Sequence, residues 1–501
     1  MSRRNFSQSV SRQISRPIPR RAFLASASAL AFVALLPEAA LAKVGGFSQP
    51  VAIPPLDEGR LDGTVRVFDL AMQPGETEFF PGLKTKTAGI NASYLGPALH
   101  FRKGEDVRVH VTNKTRDVTT LHWHGFNIPA RADGGPHQMI RPGETWSPEF
   151  KVLEEASTMW AHSHTMGKTA EQVWSGLAQM VVISDEGDAG LPANYGTDDF
   201  PVVLQDRRFY RDGSMPYEAS RHDLMAGMQG NIPLVNGTVQ PYLDVTTKLV
   251  RLRVLNGANA SIYNLGFDDN RLFHQVASDG GLLAAPVPTK GLRLAPGERA
   301  ELVVSLRPGE RTVLQSRGLS GGSMPMMEQS PAFDFLELRA AATLADTADL
   351  PATLATPPLP DAAEASQTRH FLLEMPGMGM GMVRNMMGGG GFTINGDEMD
   401  MDRIDFEVSK GATEIWEIEN AGPMMHPFHV HNTQFRILDR NGAAPEPHEA
   451  GRKDTVLVEA GETVRIAVRF DHYADPERPY MYHCHILEHE DAGMMGQFTV
   501  V

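Results

Sequence analysis

Residues 107–113 read VRVHVTN, a run in which valine alternates with other residues and asparagine comes last. Alternation with a period of two is typical of a β-strand that buries one face. The pattern returns as VRLRVLN at residues 250–256 and as EIWEIEN at residues 414–420. Three copies of one strand predict three related β-domains.

A second motif follows each of these strands. It is a short turn that opens another alternating run, and its copies are Pro142-Gly143-Glu144, Pro296-Gly297-Glu298 and Ala460-Gly461-Glu462. With 47 glycines and 35 prolines separating short strands, the sequence predicts an all-β protein of three Greek-key domains, either sandwiches or barrels. We place these domains at residues 43–187, 198–340 and 367–501. A proline-rich linker at 341–366 is expected to act as a tether or a surface strap.

The first 42 residues are predicted to be an export signal. Arg20 and Arg21 precede an apolar stretch that reaches Leu36, and Ala40-Leu41-Ala42 is similar to a cleavage site. The arginine pair resembles a twin-arginine signal. An uncleaved membrane anchor is the alternative, although the stretch is short for a span. We therefore expect an exported, periplasmic protein that has no membrane span in its mature chain and acts as a monomer.

Charge and cysteine content exclude some classes of protein. The formal net charge is −15, and removal of the signal, which carries six Arg and one Glu, would make it −20. Such a charge argues against nucleic-acid binding. The single cysteine, Cys484, excludes an intramolecular disulfide, so an exported chain needs another use for it.

Ten of the 18 histidines fall in four short clusters. These read HWH at residues 122–124, HSH at 162–164, HPFHVH at 426–431 and HCHILEH at 483–489. Alternate side chains on a strand share a face, so each His-x-His pair directs two imidazoles the same way. Four such pairs predict eight converging ligands.

The repeats indicate where these pairs meet. His122 lies nine residues after Asn113, and His429 lies nine residues after Asn420, so both occupy the same position in the first and third domains. We therefore expect a site between those two domains. The middle copy has Leu265 at this position and no His-x-His pair, which predicts a spacer domain without metal.

Imidazoles without carboxylates suit copper or zinc, and eight of them can hold about three ions. Cys484 favours copper, because a thiolate, two imidazoles and a weak thioether form a blue-copper electron-transfer site. We predict that this second site contains His426, Cys484, His489 and Met494, with Met495 as the alternative thioether. Cys484 should point to the opposite strand face from its neighbouring histidines, so that the backbone joins the two sites.

Four longer motifs, HWHG at 122–125, WAHSH at 160–164, HPFHVH at 426–431 and HCHILEHEDAGMM at 483–495, together resemble the copper signatures of the multicopper oxidase family. The resemblance implies three cupredoxin-like domains and four copper ions. It also implies one-electron oxidation of a substrate at a type 1 copper, coupled to reduction of dioxygen to water at a three-copper cluster.

The resemblance also assigns individual residues by motif position. His122 and His429 would bind type 2 copper. The two type 3 coppers would take the triads His124, His162, His485 and His164, His431, His483. Asp133 and Glu490 match the family's proton-supplying positions, and Cys484 its electron-transfer position. Each carboxylate could instead be an ordinary turn or surface group.

Within the family, the chain is similar to bacterial cuprous oxidases of copper-efflux systems and to bacterial laccases. The ending of the last motif and a methionine-rich segment at 375–401, with eight methionines, carry this likeness. Because thioethers prefer Cu(I), we predict substrate contacts from Met375, Met378, Met380, Met382 and Met425. A flexible low-complexity loop is the alternative. The efflux oxidases have acidic residues in this segment and just before HPFHVH, whereas Gly377 to Met382 and Ala421-Gly422-Pro423 stand here, which puts carboxylate assistance in doubt.

The expected substrates are dioxygen and either Cu(I) or a small phenolic or amine reductant, with copper tolerance as the role. A laccase-type phenol oxidase is the first alternative. A non-catalytic exported copper-binding protein or scaffold and a two-domain copper nitrite reductase are the others.

Overall fold

The computed structural model describes residues 46–185, 190–318, 331–375 and 391–501. Within these ranges the strands form six sheets, two in each third of the chain. The predicted all-β fold of three cupredoxin-like domains is confirmed. The predicted export signal lies outside the described residues.

The first domain packs a five-stranded sheet, in the order β1-β5-β11-β10-β7, against a sheet in the order β2-β3-β6-β8, with β4 beside β3 and β9 beside β6. Its strands are β1 (Leu56–Asp57), β2 (Arg60–Asp62), β3 (Val65–Phe80), β4 (Leu83–Ile90), β5 (Ala98–Arg102), β6 (Asp106–Asn113), β7 (His122–His124), β8 (Thr145–Trp146), β9 (Glu149–Lys151), β10 (Ser157–His162) and β11 (Ala178–Ser184). Both sheets contribute to one apolar core, for example through Phe68 and Phe101.

The second domain has sheets in the orders β14-β13-β12-β16-β21-β18-β19 and β15-β23-β22-β17-β20. Its strands are β12 (Asp199–Arg207), β13 (Ile232–Val235), β14 (Thr238–Val239), β15 (Tyr242–Thr247), β16 (Leu249–Asn256), β17 (Tyr263–Phe267), β18 (Phe273–Ser278), β19 (Gly281–Thr289), β20 (Leu292–Leu294), β21 (Arg299–Ser305), β22 (Arg311–Ser316) and β23 (Phe333–Ala345). Leu265 lies in the core of this domain.

The third domain has sheets in the orders β25-β24-β27-β31-β29 and β26-β33-β32-β28-β30. Its strands are β24 (Ala365–Glu374), β25 (Thr393–Ile394), β26 (Phe406–Val408), β27 (Thr413–Asn420), β28 (His426–Val430), β29 (Arg436–Arg440), β30 (Thr455–Val458), β31 (Thr463–Arg469), β32 (Asp475–Cys484) and β33 (Met495–Val500). Trp416 and Phe428 are buried at the centre of its core.

The two sequence motifs pair with each other in the same way in every domain. Asn113, Asn256 and Asn420 end β6, β16 and β27. The N–H of each asparagine donates to the carbonyl of the motif glutamate, and its own carbonyl accepts from the motif glycine. All three glycines have a positive φ, between 71° and 86°, which a residue with a Cβ rarely adopts. The repeat is therefore one hydrogen-bonded corner, used three times.

The asparagine side chains hold this corner in place. Each is fully buried, and its Nδ2 donates to backbone carbonyls of two following segments. In the second domain these acceptors are Ser261 and Leu294, at 2.8 and 2.9 Å. The amide thus fixes the direction in which the next strand leaves, which in the first and third domains is the strand that carries a His-x-His pair.

Helices are short in the described part of the chain. They are α1 (Thr169–Ser175), α2 (Arg221–Ala226) and α3 (Leu487–Asp491), with 3-10 turns at Ala130–Ala132, Ala362–Glu364 and Pro447–Glu449. No helix among the described residues has the length and apolar character needed to cross a membrane.

The predicted linker at 341–366 begins too early. β23 continues to Ala345, which pairs with Thr247 of β15, because Leu344 extends the buried face of the strand. The proline-rich remainder then lies along two domains. Leu354 donates its N–H to the Ala284 carbonyl of the second domain, and Pro358 accepts from Arg452 of the third. This segment is a strap.

The corner asparagine of the second domain can be tested away from any predicted metal ligand. Asn256→Ala removes both donated hydrogen bonds and leaves two buried carbonyls unpaired, so we expect a loss of about 2–4 kcal/mol in stability. Denaturant unfolding followed by tryptophan fluorescence measures it. Asn194→Ala, at an exposed position with one side-chain bond to Asp198, is the control and should cost under about 1 kcal/mol. Equal losses in the two variants would contradict this role.

Candidate metal centre

Two antiparallel strand pairs bring the histidine clusters together. In the first domain β7 pairs with β10, which places His122 opposite His162. In the third domain β28 pairs with β32, which places His429 opposite His483. Each domain thus presents its imidazoles from the end of a two-strand unit.

Eight imidazoles from these two domains meet at the domain boundary, and all are at most 1% exposed. Among the described residues, three histidine triads have one ring nitrogen per residue within 4.8 Å of the others. They are His122, His124, His429; His124, His162, His485; and His164, His431, His483. The structure therefore places these histidines together, and the shared residue His124 shows how closely the triads adjoin.

In four of the eight histidines the ring nitrogen that faces outward has a backbone partner. Backbone carbonyls accept from Nδ1 of these four residues: His122, His162, His429 and His483. The inward Nε2 atoms of the first three are buried without a hydrogen-bond partner. This arrangement fixes the tautomer and leaves a lone pair directed inward, as ligation of a metal ion requires.

In the third triad the Nε2 atoms also face inward, and they lie close to one another. Nε2 of His164 and of His431 lie 3.2 and 3.3 Å from Nε2 of His483. Burial lowers the pKa of His483 to about 4 and places the pKa values of the other two well below the usual range, so all three rings are neutral at pH 7. Neutral imidazoles whose lone pairs converge fit a soft or borderline cation.

Two carboxylates predicted from the sequence lie directly behind the imidazoles. Oδ2 of Asp133 is 2.9 Å from Nδ1 of His431, and the carbonyl of Asp133 accepts from His122. The two oxygens of Glu490 lie 3.2 and 3.3 Å from Nδ1 of His164 and of His483. Burial raises the pKa values of both carboxyls well above their usual range. Both groups are therefore placed to hold protons beside the cluster.

Asp454 is a third carboxylate at the site, and the sequence reasoning missed it. Its Oδ1 accepts from Nε2 of His124 at 2.9 Å, while its carbonyl accepts from His429. Arg299 of the second domain binds both carboxylate oxygens, at 2.7 and 2.6 Å. As a result, His124 presents Nδ1 inward, the opposite nitrogen from His122. The only available signal was its place just before β30, which pairs with the histidine strand β28.

The glycine of HWHG belongs to this arrangement. Gly125 has φ +90°, and a Cβ there would lie 2.6 Å from Asp454 Oδ2 and 2.7 Å from Arg299 Nη2. A side chain at this position would therefore displace the ion pair that orients His124.

The second domain is more than a spacer. No metal triad of the described residues includes one of its side chains, yet Arg299 also donates to the Thr158 carbonyl of the first domain at 2.9 Å. A Cβ on Gly297 would lie 2.9 Å from the ring of His485, so the corner turn of this domain packs against a cluster imidazole. The absence of histidine pairs concealed this supporting role.

A separate site surrounds the cysteine. Sγ of Cys484 lies 3.5 Å from Nδ1 of His426 and 3.7 Å from Nδ1 of His489, and all three residues are fully buried. Met494 is buried in the same core, and its carbonyl accepts from the Cys484 N–H. Burial lowers the pKa of His426 to about 3 and raises the pKa of the thiol. A cation that binds here must displace the thiol proton, which favours a thiophilic metal.

Two groups from elsewhere in the chain cover this second site. The Met225 carbonyl of α2, in the second domain, accepts from Nε2 of His489 at 3.2 Å. The ring of Phe392 stacks on His489 with centroids 3.9 Å apart. Sequence reasoning found neither group, because a carbonyl acceptor leaves no residue-type signal.

The predicted Cu(I) contacts have different environments. Met375 is only 3% exposed and packs in the core of the third domain. Met425 is half-buried and packs beside Ile262 and Leu457. Met378, Met380 and Met382 lie outside the described residues.

Asp454→Asn tests the arrangement around His124. It leaves the buried Arg299 guanidinium with the Asp279 carboxylate, 3.8 Å away, as its nearest remaining counter-charge, so we expect a loss of about 3 kcal/mol in the stability of the metal-free protein, measured by denaturant unfolding. Asp471→Asn breaks an exposed pair with Arg469 and is the control, with an expected loss under about 1 kcal/mol. If the two variants unfold at the same denaturant concentration, the proposed bracing is wrong.

The chain matches family models described as multicopper oxidase at residues 71–188 and 373–501. It is 34% identical to the multicopper oxidase mco of Staphylococcus haemolyticus, an alignment that covers 90% of this chain and 92% of that protein. It is also 33% identical to the cell division protein FtsP of Escherichia coli, over 92% of this chain and 94% of that one.

A similar solved structure is the laccase-like multi-copper oxidase CueO of Ochrobactrum sp., described as having oxidase activity towards lignin model compounds and lignosulfonate. It superposes with a TM-score of 0.82 at 41% identity, covering 90% of this chain and all of that one. With family matches at both ends and relatives aligned over nine-tenths of its length, this chain belongs to the multicopper oxidase family of copper-dependent oxidases.

Proposed function

We propose that the chain binds four copper ions and oxidises Cu(I), and also phenols or amines, with dioxygen as the electron acceptor. His426, Cys484, His489 and Met494 would hold the type 1 copper, and His122 with His429 the type 2 copper. The two type 3 coppers would be held by the triads His124, His162, His485 and His164, His431, His483. When bound, the copper supplies one-electron oxidation of the reductant at the type 1 site and four-electron reduction of dioxygen to water at the cluster.

The observation that carries this proposal is the position of Cys484 between two cluster histidines. Its side chain faces His426 and His489, while His483 and His485 on either side belong to the two triads of type 3 ligands. Nδ1 of His483 also donates to the Cys484 carbonyl at 3.0 Å. One residue of backbone and one hydrogen bond thus connect the two sites, which suits electron transfer between them and has no use in a copper store.

The carboxyls behind the cluster are suited to proton supply. Reduction of dioxygen to water consumes four protons, and burial raises the pKa values of Glu490 and Asp133 well above their usual range, which favours their protonated forms. Each lies within 3.3 Å of ring nitrogens of cluster histidines. Asp491, whose pKa is raised to about 7 mainly by burial, follows Glu490 directly on α3 and offers a further exchangeable proton.

Glu490→Gln separates proton supply from electron entry. We expect steady-state oxygen consumption to fall by about tenfold or more, because the amide keeps the shape but cannot donate a proton and recover it. Anaerobic bleaching of the blue type 1 absorption by a reductant should keep its wild-type rate. Glu488→Gln is the matched control on the same helix, since its side chain contacts Asn259 and Tyr217 instead of an imidazole. Unchanged oxygen consumption in Glu490→Gln would remove this role.

The residues that flank 376–390 support Cu(I) as the preferred reductant, because the chain on both sides of this stretch lies near the proposed type 1 ligands. At one end Sδ of Met375 lies 3.5 Å from the position that a Cβ on Gly422 would occupy, four residues before His426. At the other end Phe392 stacks on His489. Since Met375 itself is buried, capture of Cu(I) is assigned to Met378, Met380 and Met382, with Met425 beside His426.

We further propose export by the twin-arginine signal, a monomeric periplasmic protein and a role in copper tolerance.

A laccase-type phenol oxidase is the second candidate, favoured by the likeness to the Ochrobactrum enzyme. A non-catalytic scaffold, which the likeness to FtsP raises, is less compatible with a chain that places ten histidines and Cys484 in ligand groups.

The triple substitution of Met378, Met380 and Met382 by leucine distinguishes these candidates. We expect oxygen consumption driven by Cu(I) to fall by about tenfold or more, because leucine keeps the volume but offers no sulfur ligand. Turnover of a phenol should stay within about twofold. Met139 and Met166 are exposed methionines elsewhere, so their double substitution by leucine is the control. Equal effects on Cu(I) and phenol turnover would favour the laccase.

A further inference from the structure

A second, separate pocket opens between the first and second domains. Its volume is about 290 Å³, and its mouth lies beside the exposed residues Ala52, Pro55 and Asn91. The interior is lined mainly by apolar side chains, among them Leu95, Met180, Val203 and Leu255. A buried cavity of roughly half this volume already accepts benzene, so a substituted aromatic ring fits here.

One wall of the pocket is Trp160. This residue is fully buried, and its ring stacks on the imidazole of His162 with centroids 4.0 Å apart. The pocket is thus one side chain away from the histidine cluster, although none of the grouped histidines or Cys484 lines it. A flat apolar surface of this kind favours a planar ring.

Two residues of the lining have buried polar atoms without a hydrogen-bond partner in the described part of the chain, Trp160 through its Nε1 and Gln179 through its amide. Of the two, Gln179 offers both a donor and an acceptor. It is 2% exposed, and neither its Oε1 nor its Nε2 has a hydrogen-bond partner among the described residues. The neighbouring Gln205 accepts from the Tyr94 hydroxyl at 3.0 Å and donates to the Gly257 carbonyl at 3.2 Å. A buried amide that makes no hydrogen bond destabilises the folded chain. Folding therefore places an acceptor and a donor, side by side, at a pocket wall without using either.

The chain keeps space beside this amide. Gly96 lines the pocket with an ordinary negative φ, so its backbone does not require glycine. A Cβ on it would lie 2.6 Å from Oε1 and 3.0 Å from Cβ of Gln179. Absence of a side chain at residue 96 is what lets the amide stay where it is.

We propose that this pocket binds a small aromatic or heteroaromatic primary carboxamide. The ring packs among the aliphatic side chains and Trp160, and the carboxamide pairs edge to edge with Gln179, its N–H donating to Oε1 and its carbonyl accepting from Nε2. The apolar lining, the volume and the unpaired donor–acceptor couple together specify this class. Binding here does not depend on the oxidase reaction.

Calorimetric titration of the copper-loaded enzyme with benzamide tests the proposal, with toluene as the probe that lacks the polar edge. Benzamide should bind at one site per chain. Gln179→Leu should lower the affinity for benzamide by about tenfold, which corresponds to the loss of two neutral hydrogen bonds. It should change the affinity for toluene by less than about twofold. Gln205→Leu is the matched control, since that amide already has hydrogen-bond partners. Its affinity for benzamide should stay within about threefold of the wild-type value. No saturable binding, or equal benzamide affinity in wild type and Gln179→Leu, would overturn the proposal.

Thermal unfolding without ligand gives an independent check of the two glutamines. Gln179→Leu removes a buried unpaired amide and should raise the unfolding midpoint, whereas Gln205→Leu breaks two hydrogen bonds and should lower it. Saturating benzamide should raise the midpoint of the wild type by more than that of Gln179→Leu, because the variant binds it about tenfold more weakly. A lowered midpoint in Gln179→Leu would show that Gln179 is a structural residue and contradict the binding role.

Discussion

The ion pair between Asp454 and Arg299 is the interaction on which the rest of the site depends. It joins all three domains, because Asp454 belongs to the third, Arg299 to the second, and both bind groups of the first, namely His124 and the Thr158 carbonyl. All of these groups are buried, so the charges keep their strength and cannot be replaced by water. This brace adds the second domain to the direct contacts between the first and third, such as that of Asp133 with His431.

Repetition explains how such a frame can be built from one kind of corner. The buried asparagine and the glycine turn that binds it recur at Asn113, Asn256 and Asn420. Nine residues after the first and third of these stand His122 and His429, whereas Leu265 in the second domain is a core residue. The domain that lacks the histidines supplies Arg299 and the Met225 carbonyl instead. Support and ligation are thus divided among copies of one fold.

Sequence reasoning reached the features that depend on local periodicity. The corner motifs, the alternating strands and the His-x-His pairs follow from spacing along one strand, and so does the position of Cys484 between two histidines. It did not reach Asp454, Met225 or Gln179. Their roles depend on how domains pack against one another. An aspartate, a backbone carbonyl or a glutamine has no sequence pattern that predicts such contacts. The end of β23 was also misplaced, because small alanines continue a strand whose partner lies far away in sequence.

Anomalous diffraction at the copper absorption edge, from crystals of the copper-loaded enzyme, tests whether one cysteine-bound copper lies beside a cluster of three. We expect four peaks, one bounded by Cys484, His426 and His489 and three among the eight imidazoles. In Cys484→Ser crystals the first peak should vanish and the other three should stay. Fewer than three peaks among the imidazoles, or a signal at the zinc edge in their place, would contradict this arrangement.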